Sequence, residues 1–186
     1  DEYLINHLAG NLHLPTRTLI INDQFGALTV SFNKLAPINW SDSFISHSAA
    51  RNNLYINNLP ALINAIPSTS IPDGKFKLII IKIPKSNALL EYQLNHVRNL
   101  IDDDTKIIAA GMSRHIHSST LLLFEKLIGK TTTSKAIKKA RLIFPEQSLK
   151  HSLIDEPELL SYYQQDLQLK LSNHANVFSR EKLDIG

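Results

Sequence analysis

Residues Leu78-Ile79-Ile80-Ile81 form an apolar run with no polar residue in alternation, the pattern of a strand buried on both faces in the middle of a covered sheet. The stretch from Phe76 to Ile83 is the strongest strand in the sequence, and a strand of this kind needs cover from both sides. Two further runs match it. Thr18-Leu19-Ile20-Ile21 is short, continuous and largely β-branched, and Lys106 to Ala110 repeats the pattern farther on.

The segments between these runs have helical periodicity. Ser86 to Ile101 places Leu90, Leu94, Val97 and Ile101 on one face and is stopped by Asp102-Asp103-Asp104. Asp1 to Leu8 gathers Tyr3, Leu4, Ile5 and Leu8 on one side. Ile45 to Ile56 gathers Ile45, Ala49 and Ile56, with Arg51, Asn52 and Asn53 toward solvent, and Ser118 to Ile128 closes at Gly129, a C′ glycine. Phe25 to Phe32 is ambiguous locally, because Thr29 and Val30 dilute the helical signal; helix is expected, since no hairpin signal accompanies the preceding turn. Further strands are expected at Ala36 to Trp40, at Leu62 to Ile66, and at Thr131 to Ser134 with Lys138 to Phe144, an antiparallel edge pair. Leu159 to Leu171 leaves room for one more. Strands alternating with helices imply an α/β fold, a mostly parallel twisted sheet with helices on both faces.

Such sheets bind ligands beyond the carboxyl ends of their strands. Those ends carry Asn22-Asp23, Asp42, Lys82 to Lys85 and Arg114 to His117. The turn after the first strand, Asn22-Asp23-Gln24-Phe25-Gly26, stands where a nucleotide-binding unit has its glycine-rich loop, yet it holds one glycine. Asp42 follows Asp23 at about the 20-residue spacing of a ribose-binding acid. Without the glycines, the favoured reading is that Asp42 or Ser41 caps the helix beginning near Ser43.

Other chemistry is thin. His115 and His117 lack a third ligand at useful spacing, no Gly-x-Ser-x-Gly elbow exists, and no metal site is expected. Asn39-Trp40-Ser41 fits the glycosylation pattern without a secretory signal. No apolar run approaches the roughly 20 residues of a membrane span. The N-terminus also lacks a basic-then-apolar signal pattern, so a cytoplasmic location is expected, and the absence of cysteine, which removes disulfides and thiolate chemistry, fits a reducing compartment. The net charge of +3 allows contact with nucleic acid without demanding it. Lys82 and Lys85 lie at a strand end, Arg114 lies in a loop, and Lys135, Lys138, Lys139 and Arg141 lie close together in sequence. Two readings stay open for these residues: a surface for phosphates, or an edge strand protected by lysines.

The run Leu19 to Leu28, Ser41-Asp42-Ser43 with Arg51-Asn52-Asn53-Leu54, and Ile81-Lys82-Ile83-Pro84-Lys85 resemble the N-terminal half of the ribosomal RNA large subunit methyltransferase G family. The resemblance continues through Arg114-His115-Ile116-His117-Ser118-Ser119-Thr120, Leu123-Phe124-Glu125-Lys126, Lys138-Lys139-Ala140-Arg141-Leu142 and Asn173 to Arg180, ending at Leu183-Asp184-Ile185-Gly186. It covers essentially the whole chain, and its last stretch is also similar to the related small subunit methyltransferase C.

The resemblance implies a Rossmann-like class I methyltransferase fold in a degenerate copy. It implies a parent enzyme that uses S-adenosylmethionine to methylate guanine N2 in ribosomal RNA, 23S in this branch, through a C-terminal copy with the glycine-rich loop and an Asn-Pro-Pro-Phe motif. Here Asn22, Asp23, Gln24, Phe25 and Gly26 would be the vestige of the cofactor loop, and Lys82-Ile83-Pro84-Lys85 lacks the asparagine that would accept from the exocyclic amine of a flipped base. The expectation is a non-catalytic domain over residues 1–171, a linker over 172–186 and a catalytic half beyond it. The domain itself binds no cofactor and offers Lys82, Lys85, Arg114, Lys135, Lys138, Lys139 and Arg141 to ribosomal RNA. The chain opens at Asp1 without methionine and stops at Gly186 without a polar tail, in keeping with a piece of something longer. Two alternatives are a module that stabilises the catalytic half or a dimer without touching RNA, and a small nucleotide-dependent enzyme using Asp23 and Asp42.

Overall fold

The computed structural model describes residues 1–10, 17–60 and 64–148, together with two strands at Leu159–Gln164 and Leu169–His174. In chain order the elements are α1 (Glu2–Ala9), β1 (Thr18–Ile21), α2 (Ala27–Ser31), β2 (Ile38–Ser41), α3 (Phe44–Ile56), β3 (Asn64–Pro67) and β4 (Leu78–Lys82). They continue with α4 (Asn87–Val97), β5 (Lys106–Met112), α5 (Ser118–Leu127), β6 (Thr131–Thr133), β7 (Ala140–Pro145), β8 (Leu159–Gln164) and β9 (Leu169–His174). Seven strands make one sheet in the order β3-β2-β1-β4-β5-β7-β6, and β8 with β9 forms a separate antiparallel pair. The strands from β3 to β5 in that order are parallel, whereas β7 runs antiparallel to both β5 and β6.

Leu78 to Ile81 lies at the centre with no exposed surface, paired with β1 on one side and β5 on the other. Alternate side chains divide the core. Leu19, Ile21, Ile79 and Ile81 pack with Leu90 and Leu94 of α4 and Phe124 of α5, while Ile20, Leu78 and Ile80 meet Leu4 and Leu8 of α1 and Leu28 of α2. Each such side chain contributes about 1.5–3 kcal/mol of burial. Because both faces are covered, alternation would have been a defect.

Local chemistry moved several boundaries. The second helix is only five residues long, and β2 begins after Pro37 because Ala36 turns the chain with a φ of 44°. β7 starts at Ala140, since Lys138 and Lys139 are consumed in a turn. The region expected to hold one strand, from Leu159 to Leu171, holds β8 and β9, and β9 runs on past the expected boundary at residue 171. The helix after β2 is capped by Ser43, whose Oγ accepts from the Ser46 N–H at 3.2 Å. Asp42 stays exposed, and Ser41 Oγ accepts instead from the Ser43 N–H.

The largest correction concerns α3. Its buried residues are Ser46, Ala50 and Leu54, whereas Ile45 and Ile56 are 77% and 63% exposed. Small side chains face inward because α3 lies close against the turn before α2: a Cβ on Gly26 would come within 2.3 Å of Ala50 Cα. The apolar stripe visible in the sequence faces outward.

Candidate functional site

The order of the sheet reverses between β1 and β4, and the crevice beyond their carboxyl ends is where such sheets take ligands. In this chain its own side chains fill that position. Asn22, held at a φ of 64°, donates from Nδ2 to Gln93 Oε1 at 2.9 Å and to the Lys82 carbonyl at 3.0 Å. Gln93 Nε2 returns a bond to Asn22 Oδ1 at 2.8 Å, so two buried amides satisfy each other across the switch point. Asp23, 1% exposed, turns its carboxylate onto α2, accepting from the Thr29 N–H at 2.8 Å and Thr29 Oγ1 at 2.7 Å. Its carbonyl accepts from Ser46 Oγ at 2.7 Å. The free N–H groups that a phosphate or carboxyl ligand would use are thereby occupied from within.

The other residues of the turn lie outside the crevice. Gln24 and Phe25 are exposed, Phe25 at 67%, and Gly26 adopts a φ of 76° against Ala50. The carboxyl end of β2 is covered too. Ser68 N–H donates to the Ser41 carbonyl, and the segment is pinned by Trp40 Nε1 to the Ser70 carbonyl (2.9 Å) and Tyr92 Oη to the Ser68 carbonyl (2.7 Å). Burial raises the Tyr92 phenol above its ordinary range, so it stays protonated as the donor. Asn39 of the glycosylation-like triplet has no exposed surface.

The basic residues separate into groups. Lys82 pairs with the Asp1 carboxylate and is largely buried, which lowers its ammonium below the usual lysine range. Lys85 is exposed after β4. Arg114, which donates from Nε to His115 Nε2 at 3.1 Å, lines a cleft of about 420 Å³ with Met112, Ser113, Ala136 and Lys139. Lys138 lines the neighbouring cleft of about 450 Å³ with Asp1, Glu2, Tyr3, His7, Met112 and Ile137. Lys135 is exposed beside it, its carbonyl facing Tyr3 Oη at 3.5 Å. Arg141 stands apart: one residue from Leu142, it falls on the face of Ile143, and its Nε is buried without a hydrogen-bond partner. The structure therefore brings Arg114, Lys138 and Lys139 to adjoining clefts, leaves Lys135 exposed near Tyr3, ties Lys82 to Asp1 at the margin of the Lys138 cleft, and turns Arg141 Nε inward.

Lys138 and Lys139 form the two central residues of the turn between Ile137 and Ala140, which exchange both backbone hydrogen bonds at 2.8 Å. Both have positive φ, 48° and 64°, the geometry of a type I′ turn that favours Asn-Gly. Two lysines there cost about 1 kcal/mol each, a strain in keeping with a functional turn. Glu2 of α1, which sequence reasoning missed, holds Lys138 at 2.6 Å, and that ammonium keeps the Glu2 carboxyl below its ordinary range. Replacing Glu2 with Gln frees Lys138, and is expected to tighten binding of a polyanion by about twofold to tenfold at low salt in a fluorescence titration. Among the described residues no group of three or more His, Asp or Glu side chains could hold a metal ion, and no helix is long and apolar enough to cross a membrane.

The RLMG N-terminal domain family matches residues 1–149. The chain belongs to that family. The ribosomal RNA large subunit methyltransferase G of Yersinia enterocolitica serotype O:8 / biotype 1B is 42% identical over 188 residues, covering 100% of this chain and 47% of that protein. The same identity and shares hold for its counterpart in Yersinia pestis strain Pestoides F. This family member thus spans about half the length of the curated relatives it matches. Among solved structures, the T. thermophilus 16S rRNA N2 methyltransferase in complex with AdoMet and guanosine aligns with a TM-score of 0.63 at 13% identity, over 98% of this chain and 49% of that one. A ribosomal protein L11 methylase from Lactobacillus delbrueckii subsp. bulgaricus aligns at 0.61 and 17% identity, over 77% of this chain and 76% of that one. At such identities the likeness is one of fold, and the fold is the Rossmann-like class I methyltransferase fold.

Proposed function

We propose that this domain is the non-catalytic half of an S-adenosylmethionine-dependent 23S rRNA (guanine-N2)-methyltransferase, and that it positions ribosomal RNA for a catalytic half of the parent protein. The observation that carries this reading is the reciprocal Asn22 and Gln93 amide pair, which fills the crevice where the fold would take its cofactor. The residues present do not fit S-adenosylmethionine. Asp23 is spent on α2, and the segment from Ser68 to Ser70 covers the end of β2. The cofactor belongs to the other half, as do the methyl transfer and the recognition of the guanine edge.

What remains for this half is electrostatic. Arg114, Lys138 and Lys139 line two adjoining clefts that share Met112, with Lys135 exposed nearby, a surface suited to a phosphate backbone. The parent works in the cytoplasm on this reading. A titration of this chain with 23S rRNA fragments across salt concentrations tests it. About three phosphate contacts would make the logarithm of affinity fall with a slope of about −3 against the logarithm of salt. Absence of binding at every salt concentration would favour the alternative, a module that only stabilises the catalytic half or a dimer. The exposed apolar residues of α3 are the feature that speaks for protein contact.

A further inference from the structure

The outward face of α3 carries an unusual set of side chains. Phe44 is 81% exposed, Ile45 77%, Tyr55 75% and Ile56 63%, and Phe25, 67% exposed, sits on the turn that α3 packs against, its carbonyl accepting from Asn53 Nδ2 at 2.6 Å. Phe44 and Tyr55 are eleven residues apart, as are Ile45 and Ile56, so each pair repeats after three turns and lies on one stripe, about 16 Å apart along the axis. Between the two ends the same face shows Ser48, Asn52 and the exposed Arg51, which shares the stripe of Phe44 and Tyr55. Apolar residues at both ends and polar ones between make a face against which another element can settle.

This face cannot be explained by the domain's own needs. The inner side of α3 is already packed, through Ala50 and Leu54, and four large apolar side chains in thirteen residues exceed the scattered exposure ordinary for a monomer. The adjoining edge strand β3 is only four residues long and ends at Pro67, features that discourage strand addition. The helix face, and not the sheet edge, is the docking surface. It also lies at the β3 end of the sheet, opposite the β7 and β6 edge that bears Lys138 and Lys139.

We infer that this face docks the other half of the parent protein; the inference rests on the reading that such a half exists. The relatives are about twice as long as this chain, which covers 47% of them. Taking about 200 Å² for a fully exposed aromatic or large aliphatic side chain, the four residues of α3 offer roughly 590 Å² and Phe25 about 130 Å² more. That is less than the ~800 Å² per partner typical of independent association. It suits the 600–1,500 Å² interfaces between domains of one chain, where the tether supplies a high effective concentration. The matching surface on the other half is aliphatic or aromatic, with polar groups facing Ser48 and Asn52.

The experiment uses the full-length protein with Ile45 replaced by the photocrosslinking amino acid p-benzoylphenylalanine. Irradiation is expected to join the peptide carrying position 45 to sequence beyond residue 186 in a product that migrates as a monomer. The same group at Leu122, exposed on α5, serves as the control and is expected to give no such product. Adding Phe44→Ser and Tyr55→Ser is expected to abolish the crosslink while the far-ultraviolet circular dichroism of the protein is unchanged. Crosslinked dimers would assign the face to a second copy and overturn the inference, as would crosslinks confined to residues of this chain, the same product from position 122 alone, or none. RNA titrations of Lys138 and Lys139 variants read the positioning function separately, because neither residue lies on α3.

Discussion

Replacing Gly26 with alanine is expected to lower the stability of the domain by about 3 kcal/mol or more, a fall in melting temperature of roughly 10 °C for a chain of this size. Two costs combine at this position. The φ of 76° is one that an L side chain rarely adopts, and the added Cβ would lie 2.3 Å from Ala50 Cα and 2.6 Å from its Cβ. The nearer contact is with backbone. Consequently Ala50→Gly, which removes only the side chain, is expected not to restore stability, and Asn at position 26 would meet the same obstacle. Thermal unfolding followed by circular dichroism reads all three variants. A Gly26→Ala protein that melts with the wild type would mean that α3 does not lie against the turn, and the closed crevice would lose its framework. In this fold a glycine at such a turn ordinarily lets a ligand approach; here it lets a helix approach.

Charge reversal of Lys138 and Lys139 together is expected to weaken binding to ribosomal RNA by about 10- to 100-fold near 0.1 M salt, and to make the salt slope shallower by about two. The fold should tolerate the change, since both residues are exposed in a surface turn. A second variant separates charge from structure. Lys138→Asn with Lys139→Gly supplies the residues that a type I′ turn prefers, so it is expected to raise stability by about 1 kcal/mol while RNA affinity still falls. Parallel unfolding and RNA titrations check both. Unchanged affinity in both variants would return these lysines to the role of edge protection.

How far such features could be read from the sequence depended on whether their cause was local. Leu78 to Ile81 was legible because a run without alternation has one stable environment, and Ser86 was legible as the start of α4 because its Oγ caps the helix at the Leu89 N–H, 3.3 Å away. The crevice was half legible. The missing glycines spoke against a cofactor, but the groups that fill the space could not be foreseen, because Asn22 and Gln93 are 71 residues apart. The available signal was Gln93 itself, a polar residue on the apolar face of α4 next to Leu90 and Leu94. The face of α3 was misjudged because periodicity reveals a stripe without revealing which side of the helix the core lies on. Lys138-Lys139 hid a turn because nothing in two lysines asks for positive φ; pairing with β5 and β6 imposed it.

The central claim is that this domain has given the crevice where its fold would take a cofactor over to its own packing. Isothermal titration of S-adenosylmethionine into this chain tests that most directly. The closed amide pair and the capped α2 predict no saturable heat at cofactor concentrations up to about 1 mM, where a ligand worth about 4 kcal/mol would be half bound. A one-to-one binding isotherm in the micromolar range, abolished by Asn22→Leu, would contradict it.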